Sequence, residues 1–433
     1  MNENIIKSVL DHYDLINDWL TQLEVKADLP FYSSVDIRDA GFKVAAVDTN
    51  LFPAGFNNIC EVALKEAEQT FKKAVLHRVP TAQKLLLIIE EHTRNTWYLE
   101  NVYVLEQLMK SAGFEVVIAS FLSDSIKPQS SHDPYISLKT AKNNSLTVYC
   151  LDSLLTQVHH HVIQFDLIIL NHDLTTGIPT ILRQTQIPIY PSIQAGWHSR
   201  LKSKHFAVAN TLLDEFASMI GIDPWFFSCL YTSVESVDIN DITDRNRIKD
   251  SAERLFSRIQ AKYKLHKINQ KPFVFLKSDS GTYGMGVMPI ESPDDILEFN
   301  RKTRNNLAKG KNARKIGRFI LQEGVPTINT VQGKVSEACI YQIANQFVGG
   351  FYRLNDQKTN RQNLNSKGMG FRKMCNNDHG DCIYSHQKKC NGNLDIDPKT
   401  QIYYLLARIA GVAAHREMVQ MTSQLIPELV TIR

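Results

Sequence analysis

The chain has 433 residues, 43% hydrophobic and 22% charged, which is typical of a globular protein with room for two or three domains. Its formal net charge is only +4, and the Lys and Arg residues are spread along the chain, which argues against a nucleic-acid binder. No apolar run approaches the roughly 18 residues needed to cross a bilayer, and the N-terminus lacks a signal peptide's apolar core, so we expect a cytoplasmic protein.

The first 80 residues predict helices on either side of a hairpin. In residues 3–23, apolar side chains recur at the spacing of one helical face. Two short strands follow at Val35–Ile37 and Phe42–Val47, with a turn predicted at Arg38–Gly41. Residues 58–77 again have a helical pattern.

From about residue 83 to 192 the sequence alternates between strand and helix patterns. The apolar strand candidates are Lys84–Ile89, Phe114–Ser120, Leu146–Cys150 and Asp166–Leu170, with a helix from Thr96 to Ala112. This alternation predicts a mainly parallel, buried sheet. The polar stretch 123–145 predicts a mobile loop or a variable insertion.

The remaining sequence has a different order of elements. Helices are predicted at 204–220, 247–264, 293–308 and 400–424. Strands are predicted at Phe273–Leu276, Val287–Ile290, 317–323, 335–343 and 346–353. After Gly368 we expect mostly helix.

The most informative segment is a glycine loop between two apolar strands, Phe273-Val-Phe-Leu-Lys277-Ser-Asp-Ser-Gly281-Thr-Tyr-Gly284-Met-Gly286-Val287. Glycines let backbone N–H groups approach phosphate oxygens, and a lysine adds a point charge. A P-loop and a dinucleotide fingerprint are excluded, because the lysine precedes the glycines and the loop joins two strands. The arrangement resembles that of ATP-grasp ligases; an ordinary glycine-rich hairpin is the alternative.

Two downstream segments have the order expected of an ATP-grasp site. The strand ending in Gln322-Glu323-Gly324 resembles the adenine hinge, and the segment 361–368 (RQNLNSKG) resembles a glutathione synthetase segment near the phosphates. These resemblances imply that Lys277 and Arg361 are catalytic. They also imply that ATP is bound by Lys277, Gly281, Gly284, Gly286, Gln322, Glu323 and Asn363.

The predicted N-terminal hairpin carries candidate metal ligands. ATP-grasp chemistry requires Mg²⁺, usually held by a carboxylate and a Glu-x-Asn pair on a downstream hairpin. Here Asp36 lies on one predicted strand, and Asp48-Thr-Asn50 follows the other. We therefore expect Asp36, Asp48 and Asn50 to bind Mg²⁺ after a circular permutation that moves this hairpin to the start of the chain. The alternative is that Asp48 and Asn50 merely cap a turn.

Polar clusters at the ends of predicted strands are candidates for substrate binding, because open α/β sheets bind ligands there. An arginine could hold an amino acid's carboxylate through two parallel hydrogen bonds. The candidates are Arg38, Asn57, Arg94, Asn95 and His172. Capping or a surface ion pair is the alternative role for each of them.

The seven cysteines are odd in number and widely spread, which favours free thiols in a reducing compartment. Cys375, Cys382, His386 and Cys390 could in principle bind zinc, but their first spacing is long for a zinc site. Solvent-exposed thiols are the favoured interpretation.

Four segments together resemble the proteobacterial ATP-grasp type of glutamate–cysteine ligase. They are VDIRDAGFKVAAVDTNLFPAGFNN (35–58), EEHTRNTWYLENVYVL (90–105), LNHDLTTGIP (170–179) and LKSDSGTYGMGV (276–287), and the resemblance spans nearly the whole chain. It implies the first step of glutathione synthesis, in which glutamate is converted to γ-glutamyl phosphate with ATP and then joined to cysteine. The implied partners are these small molecules, with no nucleic acid or membrane, and homo-oligomerisation stays open.

The expected fold is α/β: a circularly permuted, glutathione-synthetase-like ATP-grasp fold with an additional parallel-sheet α/β domain. The expected divisions are 1–60, completing the ATP-grasp core; 80–200, a substrate domain; and 201–433, the nucleotide-binding region. One alternative function is another ATP-grasp carboxylate–amine ligase, such as glutathione synthetase. A second is a non-catalytic protein that binds nucleotide or amino acid, which the carboxylates Asp36, Asp48 and Glu323 argue against.

Overall fold

The structure, a computed structural model, describes residues 1–122, 135–281, 286–308, 316–374 and 397–430. Its helices are α1 (Glu3–Asp11), α2 (Tyr13–Val25), α3 (Glu61–Arg78), α4 (Thr96–Ser111), α5 (Leu151–His159), α6 (Thr180–Gln184), α7 (Lys202–Met219), α8 (Ile242–Leu265), α9 (Arg301–Ala308) and α10 (Pro398–Val430). Within these ranges, none of the helices combines the length and apolar character that a membrane crossing requires.

Within the described residues, the strands form three sheets. They are β1 (Tyr32–Asp39), β2 (Val44–Asn50), β3 (Lys84–Ile89), β4 (Glu115–Ser120), β5 (Tyr135–Lys139), β6 (Ser145–Cys150), β7 (Leu167–Asn171), β8 (Ile189–Tyr190), β9 (Tyr231–Glu235), β10 (Val274–Ser278), β11 (Met288–Ile290), β12 (Arg318–Glu323), β13 (Thr330–Val331), β14 (Lys334–Ile343), β15 (Gln346–Asn355) and β16 (Met369–Lys373). The protein is therefore a mixed α/β structure with several sheets.

The largest antiparallel sheet has the order β16-β15-β14-β1-β2, with β13 paired to β14. The N-terminal hairpin thus joins strands that come much later in the chain. Side chains alternate between the two faces of a strand, and Val35 and Ile37 of β1 pack into a core formed with α1, α2, α7 and α10. Asp36 and Arg38 lie on the opposite face, which is left free of these helices.

The second large sheet has the order β5-β6-β4-β3-β7-β8, and its strands are parallel except for β5. Residues Leu85–Ile89 of β3 are all buried, because α3 and α4 cover one face of the sheet and α5 and α6 cover the other. Glu90 follows β3 directly and His172 follows β7 directly, so polar residues lie at the carboxyl ends of these buried parallel strands.

The third sheet is antiparallel and has the order β11-β10-β12-β9. Val274 and Leu276 of β10 pack against α8. The alternate residues Phe275 and Lys277 line a cavity on the other face. This short sheet thereby presents a lysine at the end of an apolar strand.

Two predicted helices are each divided in the structure. The stripe predicted over 3–23 forms α1 and α2, which are separated at His12, where the ring Nδ1 lies 2.9 Å from the Ser8 carbonyl oxygen. The helix predicted over 293–308 is a 3₁₀ turn at Pro293–Ile296 followed by α9. A capping box from Ser292 starts that short turn.

Two edge strands were not predicted from the sequence. Part of the stretch predicted as a loop, 123–145, forms β5, whereas residues 123–134 lie outside the described residues. The stretch after Gly368, expected to be mostly helix, begins with β16, which pairs antiparallel with β15. Both strands lie at a sheet edge and three of the five side chains in each are exposed, so neither contains the continuous apolar run of a strand buried on both faces. The first hairpin turn also lies later than predicted, since β1 extends to Asp39.

Candidate active site

A cavity of about 830 Å³ is lined by residues of the two antiparallel sheets and of segments that follow strands of the parallel sheet. One wall is the face of the large antiparallel sheet opposite its helices, and a second is formed by β10 and β12. The third wall comes from segments after β3 and β7 and from the start of α4, including Asn95, Tyr98 and Asp173. A cavity of this size with a few polar groups is typical of a small-molecule site.

Lys277 lies at the end of β10 with its side chain buried in the cavity wall. Its Nζ donates to Gln322 Oε1 at 2.8 Å and to the Val47 carbonyl oxygen at 3.3 Å. Val47 lies where the pairing of β1 and β2 shifts register, and its carbonyl also accepts from Gln322 Nε2 at 3.2 Å. Burial lowers the pKa of Lys277 from 10.5 to about 8, although the nearby Asp48 carboxylate opposes that change.

Asp48 lies on β2 and forms an ion pair with Lys202, from the first turn of α7. Removal from water disfavours its charged form, but the ammonium groups of Lys202 and Lys277 outweigh this and lower the pKa of Asp48 to about 2. Asp48 is therefore a carboxylate at physiological pH, held between two lysines that come from different elements.

A chain of ion pairs lies beside Asp48 on the same sheet. Asp36 pairs with Asp48 in the register of β1 and β2. The Arg353 guanidinium donates to Asp36 at 2.7 Å and to Glu337 at 2.6 Å, and Glu337 also accepts from Arg38 at 2.7 Å. Burial disfavours the charged form of Glu337, but its two arginine partners hold its pKa below the ordinary 4.5. This chain fixes the side chains of the cavity wall.

The base of the glycine loop is anchored to α7. Asp279 is fully buried, and its carboxylate accepts from Ser203 N at 2.7 Å and from Ser203 Oγ at 2.6 Å. Gly281 lies against Trp197, since a Cβ at this position would come within 2.3 Å of the indole ring. Only glycine allows this close approach. Gly286 has a φ of 67°, as expected for a glycine turn, and Gly284 lies outside the described residues.

The three predicted hinge and phosphate residues all line the cavity. Gln322 is engaged with Lys277 and Val47, as described above. The Glu323 carboxylate pairs with Lys43 at 3.0 Å and accepts from Trp225 Nε1 at 2.9 Å and Leu230 N at 3.0 Å. Its side chain is thus committed to protein partners. Asn363 Oδ1 accepts from Asn365 N at 3.0 Å, which orients its amide in the turn after β15.

The family model for glutamate–cysteine ligase matches residues 6–418. This chain belongs to the glutamate–cysteine ligase family. A solved structure described as a candidate gamma-glutamylcysteine synthetase from Methylobacillus flagellatus KT is 34% identical, with 96% of each chain covered and a TM-score of 0.82. The ligase therefore joins L-glutamate to L-cysteine using ATP, which is the first step of glutathione biosynthesis.

Two other solved structures are much less similar to the ligase. A D-alanyl-alanine synthetase A from Vibrio cholerae O1 biovar eltor str. N16961 is 12% identical, covers 64% of this chain and 68% of its own, and has a TM-score of 0.28. A glutathione synthetase-like effector from Globodera pallida is 9% identical, with 83% and 82% covered and a TM-score of 0.33. These TM-scores are too low to support an argument. A comparison with curated proteins gave no match.

Only some of the predicted substrate-binding residues of the ligase line the cavity. Asn57 and Asn95 line the cavity. Arg38 also lines it, but its guanidinium is buried and donates to Glu337 and to two backbone carbonyls. His172 is buried behind the wall, where its Nδ1 accepts from Leu174 N and its Nε2 lies 3.5 Å from Glu90. Arg94 is exposed and is absent from the described residues that line the cavity.

Arg361 is not brought into the site. Its guanidinium pairs with Glu291 at 2.6 Å and lies 4.1 Å above the Phe273 ring. Among the described residues, Arg361 is not part of the cavity lining, whereas Arg38 and Arg353 are.

The cysteines in the described ranges are Cys60, Cys150, Cys229 and Cys339, and each is buried. The zinc candidates Cys375, Cys382, His386 and Cys390 lie outside the described residues. The prediction about them therefore stays a prediction.

Sequence reasoning missed two charged residues of the ligase's cavity, Lys202 and Glu337, and gave Arg353 no role of its own. Glu337 and Arg353 each interrupt a strand that is otherwise mostly buried, and a charged residue in such a strand requires a partner. That signal could have identified both. Lys202 is the first residue of α7, and its pairing with Asp48, 154 positions away, has no local signature.

Proposed function

We propose that this cavity is the active site of the ligase and that Lys277 and Asp48 contact the ATP phosphates and their metal from two sides. The observation that carries the proposal is the convergence of β2 and β10. Although Val47 and Lys277 are 230 positions apart, the Lys277 ammonium donates to the Val47 carbonyl, and it lowers the pKa of the adjacent Asp48. An acid and a lysine thereby share one cavity.

In the proposed reaction, a γ-carboxylate oxygen of glutamate attacks the γ-phosphorus of ATP. The new O–P bond replaces the bond to the β,γ-bridging oxygen, and ADP leaves. The amine of cysteine then attacks the acyl carbon of γ-glutamyl phosphate, forming the amide as phosphate leaves and the amine loses a proton. The protein's contribution to such phosphoryl transfer is mainly positional and electrostatic.

Lys277 is proposed to stabilise the charge that spreads over the transferring phosphoryl group. In the ligand-free protein its pKa is about 8, because burial disfavours the ammonium form. A triphosphate beside it would favour the charged form. Nucleotide binding is therefore expected to raise the pKa of Lys277, and the backbone of the glycine loop would add N–H donors.

We propose Asp36, Asp48 and Asn50 as the ligands of Mg²⁺. Their chemistry fits the ion, which prefers hard oxygen donors and takes its remaining ligands from phosphates and water. Asp36 lies directly opposite Asp48, and Asn50 is two residues further along the same face of β2. Bound Mg²⁺ would neutralise phosphate charge. Asn50 Oδ1 accepts from Phe52 N at 3.0 Å, which orients the amide and leaves a second lone pair free.

We propose that the amino-acid substrates bind on the wall next to the parallel sheet, where Asn57 and Asn95 are the candidate contacts. Asn95 caps α4 by accepting from Tyr98 N at 3.1 Å. Its amide nitrogen can therefore donate to a carboxylate without losing the cap. Asn57 follows Gly55, whose N–H is held by Asn101 Oδ1 at 2.8 Å, so the turn that carries Asn57 is anchored to α4.

We further propose that the fold is a circularly permuted ATP-grasp fold with an added α/β domain. The pairing of β1 with β14 supports this, since it would let residues 1–60 complete the sheet of the nucleotide-binding region 201–433. Residues 80–200, which contain the parallel sheet, would form the substrate domain. The cavity, which both antiparallel sheets and the segments after β3 and β7 line, would then contain the nucleotide and amino-acid sites side by side.

Replacement of Asp48 by Asn tests the proposed function. In a coupled ADP-release assay with glutamate plus cysteine, we expect this variant to lose Mg-dependent turnover. Asp356→Asn, which changes an exposed carboxylate paired with Lys334, is the matched control and should keep turnover. Near-normal activity of D48N would rule the proposal out. Release of ADP only with γ-glutamylcysteine plus glycine would instead favour a glutathione synthetase.

A further inference from the structure

A buried polar cluster lies behind the strand that carries the proposed metal ligands. Its centre is Glu417 of α10, which is only 1% exposed and accepts from Arg200 Nε at 3.1 and 3.2 Å. Glu417 Oε2 also lies 3.2 Å from His205 Nδ1. Both of these partners bind Thr49: Arg200 donates to its carbonyl oxygen at 2.8 Å, and His205 Nε2 lies 3.0 Å from its Oγ1.

The position of Thr49 gives this cluster its importance. Thr49 lies between Asp48 and Asn50 on β2, and successive side chains of a strand point to opposite faces. Asp48 and Asn50 line the cavity, while Thr49 is buried against α7 and α10. Contacts with both its carbonyl and its hydroxyl therefore fix the backbone between the two proposed ligands.

The hydrogen-bond directions within the cluster are consistent with one another. Burial lowers the pKa of His205 below its ordinary value, so the ring is neutral at physiological pH. Its Nδ1–H then donates to the Glu417 carboxylate, and its Nε2 accepts from the Thr49 hydroxyl. Although burial disfavours the charged form of Glu417, the Arg200 guanidinium and His205 hold its pKa below the ordinary value. The charges of Glu417 and Arg200 balance.

We propose that Glu417 is a positioning residue for Mg-ATP binding, acting through Arg200 and His205 on the strand that carries Asp48 and Asn50. The proposal rests on the proposed function above, because it takes those two residues as ligands. It assigns to the C-terminal helix a role in the active site although Glu417 does not line the cavity. Outer residues that orient metal ligands commonly influence metal affinity.

The same helix offers a matched control. Arg408 of α10 forms an ion pair with Glu24 of α2, with distances of 2.8 and 2.7 Å, and both side chains are at most 10% exposed. This pair resembles the Glu417–Arg200 pair in burial and geometry. It joins α10 to α2 instead of β2, so its loss should affect stability without moving the proposed metal ligands.

The experiment compares Glu417→Gln, Thr49→Val and Glu24→Gln by steady-state kinetics and thermal unfolding of the full chain. For E417Q we expect the KM for Mg-ATP to rise roughly 10- to 100-fold, with the KM for cysteine unchanged. T49V removes only the hydroxyl group that donates to His205 Nε2, so it should raise the KM for Mg-ATP by a smaller factor. E24Q should lower Tm and leave the KM for Mg-ATP at the wild-type value.

An unchanged KM for Mg-ATP in both E417Q and T49V would overturn the inference, as would an equal rise in E24Q. If E417Q does not fold, T49V decides, because it keeps the Glu417–Arg200 ion pair. The two proposals fail separately. If D48N keeps its activity, the proposed function is wrong. If D48N is inactive but the KM for Mg-ATP is unchanged in E417Q and T49V, only the role of Glu417 is wrong.

Discussion

Lys277→Met removes the ammonium group from the cavity wall while keeping most of its apolar stem. Because the pKa of Lys277 is about 8 instead of 10.5, burial and the neighbouring groups disfavour its ammonium form by about 3 kcal/mol. The variant also loses two hydrogen bonds, to Gln322 Oε1 and the Val47 carbonyl, which contribute about 1 kcal/mol each. We therefore expect ligand-free K277M to be more stable than the wild type by about 1 kcal/mol at pH 6.5, and inactive.

The pH dependence of this difference follows from proton linkage. Between pH 8 and 10.5 the native Lys277 has released its proton while the unfolded chain retains it, so the stability of the wild type rises with pH relative to K277M. Urea unfolding at pH 6.5 and 9.5 measures both stabilities, and ADP release measures activity. Lys334→Met, at an exposed ion pair, is the control and should show no such trend. A K277M variant that is less stable at pH 6.5, or a difference that does not change with pH, would refute the reasoning.

Two further substitutions test the cavity wall. Gly281→Ala would place a Cβ within 2.3 Å of the Trp197 indole, so we expect the loop to shift and the KM for ATP to rise; Gly317→Ala, whose nearest contact is 3.8 Å, should leave that KM unchanged. Glu337→Gln leaves two buried guanidinium groups short of a carboxylate and should cost about 3–5 kcal/mol of stability at pH 7. These arginines lower the pKa of Glu337 below 4.5, so the wild type is expected to lose its extra stability over E337Q as the pH falls below that value. Urea unfolding at pH 7 and 4 measures this. A difference in the free energy of unfolding that is the same at both pH values would contradict the prediction.

The buried elements were predictable because burial leaves a strong pattern. The range Lys84–Ile89 was predicted as a strand and is β3, since a strand covered on both faces is a continuous apolar run. The edge strand Met369–Lys373 was missed, because it contains a glycine and mostly exposed side chains and has no such run. Its pairing with β15 depends on a partner strand, which local sequence does not specify.

The candidate site shows the same division between local and distant information. Lys277 and Asp48 could be predicted because each lies in a local motif, and the structure places both in one cavity. The Lys202–Asp48 pair was not predictable, because it joins residues 154 positions apart and neither has an unusual neighbourhood. The same holds for Glu417, whose helix has no local feature that indicates contact with Thr49. Arg361 was favoured because its segment resembles one of glutathione synthetase, and the direction of its side chain depends on Glu291, which is 70 positions away in the sequence.

A structure of the ligase with Mg²⁺ and a non-hydrolysable ATP analogue would test the central claim most directly. We expect phosphate oxygens within hydrogen-bonding distance of Lys277 Nζ and a metal ion bound to the Asp48 carboxylate. A nucleotide bound elsewhere, with Lys277 still donating only to Gln322 and Val47 and no metal at Asp48, would contradict the account.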